Sequence, residues 1–499
     1  MCEAHWQPRH RDSVETVIVW FRSDLRLADN PALHAAVAGG ARVVPVYIHA
    51  PEEAAPWPAG AASLWWLHHS LASLQASLRA LGGGLILRRG PSVDTLRELT
   101  AACGASRIYC NRCYEPALRN RDQALQSALA DDGIECLFSN GSLLHEPWKL
   151  NTKSGNPYRV FTPFWRACQQ QRTETMPVPA PDALAPLPPA LVSLSLADLD
   201  LLPSIAWDPG LHETWHPGEA AAQARLRTFA ETTLAHYPEW RDLPDKTGSS
   251  RLSPHLHFGE ISPRQVAWTL ERYAQTEPAP NLIRGAEALV RELGWREFAY
   301  HVLYHYPHTT DEPLDARFAK FPWREDADSW RRAWQRGRTG YPIVDAGMRE
   351  LWHTGWMHNR VRMIVASFLT KNCRIAWQQG ARWFWDTLVD ADLANNSLNW
   401  QWVAGCGADA APYFRIFNPV TQSRKFDPQG GYLRRWLPEL APLPARWLHE
   451  PWTTPPAVQQ ALGLEIGVDY PLPFLDLKQT REQALAAFRA RARRAGRGR

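Results

Sequence analysis

Two periodicities divide the chain. From residue 16 to about 140, short β-branched runs alternate with stretches of helical spacing. The runs Thr16–Phe21, Arg42–His49, Leu85–Arg89, Arg107–Asn111 and Ile134–Asn140 predict strands. Helical patterns fall between them, among them Ala62–Leu81, stopped by Gly82, Gly83 and Gly84, and Ser92–Cys103. Such alternation predicts a parallel sheet with helices on both faces. Residues 141 to 220 are irregular and proline-rich, above all MPVPAPDALAPLPP from Met176, and proline at this density sustains neither helix nor central strand. They read as a long linker over the surface. Beyond 220 only helical spacing remains: Glu219–His236, Ser262–Ala274, Leu282–His305, Asp328–Gln335, Val344–Thr354, Asn359–Thr370, Ala381–Leu388 and Glu482–Arg494. The expected division is an α/β domain (14–145), a linker (146–219), an all-α domain (220–485) and a basic tail (486–499).

Length supports this: 499 residues exceed one typical core. No apolar run reaches membrane-spanning length, and the opening MCEAHWQPRHRDSVET lacks a hydrophobic signal core, so a cytoplasmic protein is expected. A net charge of +4 does not by itself demand a polyanionic partner. The tail RARARRAGRGR from Arg489 reads as a frayed, solvated end. Eight scattered cysteines form no disulfide framework. Cys110 and Cys113 have redox or metal spacing, but no second pair stands where a metal site needs one. The composition does stand out in one respect: 25 tryptophans are more than packing requires, because each buried indole N–H wants a partner.

The loop after the first strand, FRSDLRLADNPAL, is no glycine-rich phosphate cradle, which disfavours a dinucleotide oxidoreductase. Chemistry concentrates in the helical half. In WFWDTLVDADLANNSLNWQWVAG, Trp383 to Gly405, a helix would put Asn396 and Trp400 on one face and turn Trp402 away. Asp390 and Asp392 precede it, placed to cap a helix or pair with a buried base. In GWMHNRVRMIVASFL, Gly355 to Leu369, Asn359, Arg362 and Met363 form a polar stripe on an otherwise apolar helix. Arg362 would need an acid, with Asp390 or Asp392 at hand. Glu292 and Trp295 are three apart with Arg296 beside them, a pair that in a cavity would bond and stack on a pyrimidine base. KTGSSRLS, Lys246 to Ser253, offers hydroxyls, a glycine and an arginine suited to a pyrophosphate.

Taken together, WFRSDLRLADNPAL, KTGSSRLSPHL, LGWREF, TGYPIVDAGMREL, TGWMHNRVRM, DADLANNSLNWQW and DAAPYFRIFNP resemble the DNA photolyases, from about residue 16 to about 480. Class I cyclobutane pyrimidine dimer photolyases look nearest. The resemblance implies a Rossmann-like parallel α/β antenna domain joined to an all-helical FAD-binding domain. It implies FAD held by Tyr237, Ser249, Ser250, Arg251, Leu252, Ser253 and Arg296, with Ser249 standing where threonine is common. Asn396 would face the flavin N5 edge, Asp392 its pyrimidine ring, and Asp390 would pair with Arg362. Glu292, Asn359 and Met363 would contact the dimer, held between Trp295 and Trp402. Trp400, Trp377 and Trp323 match an indole relay to the surface, and Arg360 and Arg415 match phosphate contacts.

The implied activity is light-driven splitting of a flipped-out dimer by an electron from excited, reduced FAD, in a monomeric protein acting on dimer-containing DNA, with neither metal nor membrane. Plant-type cryptochromes, which signal rather than repair, are similar but carry aspartate at the position of Asn396. Enzymes acting on (6-4) photoproducts are similar but carry histidines where Asn359 and Met363 stand, and an iron–sulfur branch needs more cysteines than Cys373 and Cys406. Folate-binding relatives show Asn-Glu shortly after the Tyr-Glu segment. Ala117-Leu118 follows Tyr114-Glu115-Pro116 here, which counts against methenyltetrahydrofolate and leaves 8-hydroxy-deazaflavin, another antenna or none.

Overall fold

A computed structural model describes residues 15–171, 176–276 and 279–496, with side chains to residue 490. The reading of the first fourteen residues as free of an export signal, and the last residues of the basic tail, lie outside the described residues. Among those described, no helix is long and apolar enough to cross a membrane.

Five strands, β1 (Thr16–Phe21), β2 (Arg42–His49), β3 (Ile86–Arg89), β4 (Arg107–Asn111) and β5 (Glu135–Ser139), form a parallel sheet in the order β3-β2-β1-β4-β5. The two edge strands are shorter than their sequence patterns, since each is paired on one side only. Along β1, Val17, Val19 and Phe21 pack on one face while Ile18 and Trp20 pack on the other. Both faces are therefore covered, as an unbroken apolar strand requires. The covering helices are α1 (Pro31–Ala38), α2 (Ala61–Ala80), α3 (Ser92–Cys103) and α4 (Pro116–Asp131).

The loop after β1 welds the two halves together. Arg26 is fully buried and donates to the carbonyls of Gly141 at 2.6 Å and Gly259 at 2.9 Å. Asp29 accepts from Arg264, and Glu219 accepts from the backbone N–H groups of Leu27 and Ala28. The proline-rich stretch then runs back over the sheet domain. Leu184 N–H bonds to Leu81 O at 2.7 Å, and the Leu187 side chain packs directly over Gly84.

The connecting region is not wholly irregular. Phe161–Gln170 is a helix, α5, burying Phe161, Phe164, Trp165 and Cys168 at i, i+3, i+4 and i+7. Pro163 falls in its first turn, where proline is tolerated. α5 packs on α6 (Pro280–His305), the long central helix of the helical half. Four more helices of this half are α7 (Asn359–Ser367), α8 (Trp377–Thr387), α9 (Leu393–Ala404) and α10 (Leu477–Gly496). α7 ends earlier than its pattern and passes into a π-helical turn, Phe368–Asn372. α8 begins earlier than expected and includes Gly380, where a Cβ would lie 2.1 Å from the ring of Trp400. The basic end is helical to Gly496 rather than frayed from Arg489.

One buried carboxyl ties the connector to α6. Glu297 accepts from the N–H groups of Leu144 at 2.9 Å and His145 at 3.0 Å. Burial pushes it up to about 7 against the pull of Arg296 and those two N–H groups. An acid raised in the folded state adds stability that is complete at low pH and is lost as pH rises through the folded value. Glu297→Gln, which never ionises, is therefore expected to gain on the wild type between pH 5 and pH 8, by about 1–3 kcal/mol. Urea unfolding at both pH values checks this, and an unchanged gap would mean that Glu297 does not titrate in this range.

Candidate functional site

The helical half encloses a cavity of about 780 Å³, at the large end for ligand sites. Its walls come from Tyr237 to Asp242, the loop and short helix around Ser253, α6, α7 with the turn into it, the end of α8, α9 with the turn before it, and the loop from Asp409 to Arg415. Several are positioned by local chemistry. α7 is capped by His358, whose Nδ1 accepts from the N–H of Arg360 at 3.2 Å. Arg362 donates to Met357 O at 2.7 Å and to both oxygens of Asp390 at 2.8 and 3.0 Å. Asp392 caps α9, accepting from Asn395 N–H at 2.8 Å. Burial alone would raise the Asp392 carboxyl. His257, Arg296 and the Tyr300 hydroxyl outweigh it and hold the group well below the usual carboxylate range. Asp392 is thus the fixed negative end of a buried network facing the cavity.

Most residues singled out from the sequence meet here. Tyr237, Ser249, Ser250, Leu252, Ser253, Glu292, Trp295 and Arg296 line the cavity from one side. Asn359, Arg360, Arg362, Met363, Asp390, Asp392, Asn396, Trp400, Trp402 and Arg415 line it from the others. Trp295 stacks on Phe161 of α5, with ring centroids 3.7 Å apart and planes within 8°, which sets the tilt of the indole at the cavity wall. Asn396 donates to Ala381 O at 3.0 Å. Trp400 is buried, edge-on to Phe384 at 5.0 Å, with Trp377 and half-buried Trp323 in the same apolar cluster behind it.

Arg251 is the exception. It takes a left-handed conformation, φ 50°, and its guanidinium lies 4.7 Å from the ring of Trp356, outside the cavity lining. A cation over an indole face is a stabilising contact in itself. Other wall residues went unforeseen. Arg241 ion-pairs with Glu292 at 2.7 Å, His257 stands 3.7 Å from Asp392, and Asp242 pairs with Arg360 at 2.8 Å. The histidine was visible in SPHLH but carried no spacing signal. The two pairings join segments fifty or more residues apart, which no local pattern encodes.

The donor set suits a dinucleotide. Gly248 cannot carry a side chain, since a Cβ would meet Trp240 O at 2.4 Å, and the close-packed turn it permits sets Ser249, Ser250 and Ser253 at the wall. Hydroxyls and a helix start at Ser253 fit phosphate, while the Asn-rich face of α9 fits a heteroaromatic edge.

Residues 17–182 match the family described as DNA photolyase, and residues 289–490 match the FAD-binding domain of DNA photolyase. A deoxyribodipyrimidine photo-lyase of Agrobacterium fabrum is 48% identical over 95% of this chain and 98% of its own length. Cryptochrome-1 of Arabidopsis thaliana is 40% identical over 93% of this chain and 69% of that protein. The crystal structure of a bacterial class III photolyase from Agrobacterium tumefaciens superposes with a TM-score of 0.93 at 46% identity, covering 97% of this chain and 99% of that one. With the cavity walls and these likenesses in agreement, the chain belongs to the photolyase/cryptochrome family, with a parallel α/β domain and a helical FAD-binding domain.

Proposed function

We propose that the protein is a repair enzyme that uses light to split cyclobutane pyrimidine dimers in DNA. One observation carries the reading: Trp295, Trp402, Glu292, Asn359 and Met363 border the same cavity as Asn396 and the serine loop. A cofactor and two flipped, adjacent pyrimidines would therefore share one enclosure. Reduced FAD, when bound and excited, would lend the electron that opens the cyclobutane ring and regain it once the two pyrimidines separate. The protein's part is positioning. Asp390 and Asp392 fix α7 and α9, and the serine loop holds the dinucleotide phosphates. The two indoles sandwich an extruded pair, whose distortion in the duplex lowers the cost of flipping. Glu292, whose carboxyl Arg241 holds in place, would once protonated donate a hydrogen bond to a pyrimidine edge and stabilise negative charge there. Trp400, Trp377 and Trp323 would relay electrons that restore the reduced cofactor.

Relatives named deoxyribodipyrimidine photo-lyase support repair over signalling, and so does asparagine at position 396. Asn359 and Met363 favour cyclobutane dimers over (6-4) photoproducts. Within the photolyases, 46% identity to a class III protein favours that branch over the class I branch expected from the motifs.

Reduced, FAD-loaded protein is expected to remove dimers from cyclobutane-dimer DNA in blue light and not in the dark, leaving (6-4) DNA unchanged. Persistence of the dimers in light would favour a photoreceptor, and repair confined to (6-4) DNA would move the chain to that branch. Glu292→Ala is expected to retain the flavin spectrum while repair per absorbed photon drops about tenfold, the size of one hydrogen bond lost in the transition state. Trp323→Phe should slow photoreduction of oxidised protein and spare repair by chemically reduced protein. Equal loss in both assays would remove Trp323 from the relay.

A further inference from the structure

Residues 406–418, between α9 and the helix capped by Asn418, carry Arg415 to the cavity. The outer side of this loop is open: Phe414 is 65% exposed and Arg415 is exposed beside it. Its inner side is gripped by two side chains four residues apart. Ser367 Oγ accepts from Phe417 N–H at 3.2 Å, and Lys371 Nζ donates to the carbonyl of Arg415 at 2.9 Å. Lys371 lies in the π-helical turn after α7 and is 1% exposed. Its ammonium sits 5.2 Å from the ring of Tyr413, and Tyr413 stacks on Phe488 of α10, with centroids 4.5 Å apart and planes within 3°. π-Helical turns inside helices collect at functional sites. A buried ammonium is costly, so one spent on a single loop carbonyl calls for an explanation.

We propose that Lys371 is a positioning residue for damaged DNA, clamping the Arg415 loop at the cavity mouth and tightening when a phosphate binds Arg415. The inference rests on the reading of Arg415 as a DNA contact given above. The charged and titratable groups facing the ammonium are Arg415 and Tyr413 from the loop and Cys406 from the end of α9. α10 brings Phe488 to Tyr413, and Thr480 to the neighbouring Asn372. Burial, followed by the like charge of Arg415, brings the Lys371 ammonium down to about 7, with Cys406 pulling the other way. A phosphate on Arg415 offsets the second influence. DNA binding then takes up a proton at Lys371, and a charged donor bonds the loop carbonyl about twice as strongly as a neutral one. Affinity for damaged DNA should therefore fall as pH rises through about 7.

Lys371→Met separates this role from a structural one. Replacing a buried charge by an apolar chain of similar volume is commonly neutral or stabilising, so the flavin spectrum and melting temperature should hold or rise. The Kd for a dimer-containing duplex should nonetheless weaken about tenfold at pH 6.5, the worth of one charged hydrogen bond. Its dependence on pH between 6 and 8.5 at constant salt should flatten. Lys371→Arg, charged throughout, should recover most of the affinity with the same flat profile. Trypsin cleavage after Arg415, followed by mass spectrometry without DNA, should speed up in the methionine variant. Wild-type affinity, pH slope and cleavage rate in Lys371→Met would overturn the proposal, as would losses accompanied by a lower melting temperature or missing flavin. If the wild type does not hold dimer-containing DNA, the functional reading falls with this one, while the trypsin assay still judges the clamp.

Discussion

The site depends on the acidic turn Asp390-Ala391-Asp392. It binds Arg362 on α7 through Asp390 and starts α9 through Asp392, so two helices and their polar faces are set by one three-residue segment. Neither acid is exposed: Asp390 is 8% and Asp392 6% accessible. Charges this buried persist only when paired and hydrogen-bonded. Asp392 meets that condition through Tyr300, His257 and Arg296, which come from two further elements. The network therefore links the serine-loop helix, α6 and α9 around one cavity. A conservative change at Asp392 would disturb the relative position of three walls, and one at Asp390 would loosen α7.

Much of this was legible in the sequence because it lies in local patterns. Strands β1, β2 and β4 match their apolar runs residue for residue, since internal parallel strands are uniformly apolar and have turn residues at both ends. The polar stripe Asn359, Arg362 and Met363 pointed to a buried polar partner, and Arg362 found Asp390. What stayed hidden was long-range or ambiguous. α5 carried an i, i+3, i+4, i+7 pattern, but its proline and the proline-rich surroundings masked it. The position of Arg251 over Trp356, a hundred residues further along the chain, was likewise not legible from its motif. The loop after β1 was read as a family motif and for the glycines it lacks, not as a joint between the halves. Its role as a weld depends on Gly259 and Glu219, nearly two hundred residues or more away.

The tryptophan excess resolves along the same line. Several indole N–H groups reach across the boundary between the sheet half and the helical half. Trp57 donates to Asp311, Trp66 to Glu260 and Trp385 to Pro58 O. Trp215, in the connecting region, donates to Thr354 O. An indole buries a large apolar face and still supplies one directed donor, so it fastens a boundary that is neither fully dry nor fully wet. Only a minority of the tryptophans border the cavity, Trp295, Trp356, Trp400 and Trp402. Composition alone could not separate these two uses. Position separates them: boundary indoles end on carboxylates and carbonyls, whereas Trp295 and Trp402 present their surfaces to empty volume. Stacking on Phe161 fixes the tilt of Trp295, so its free face is presented to the cavity as a flat apolar wall.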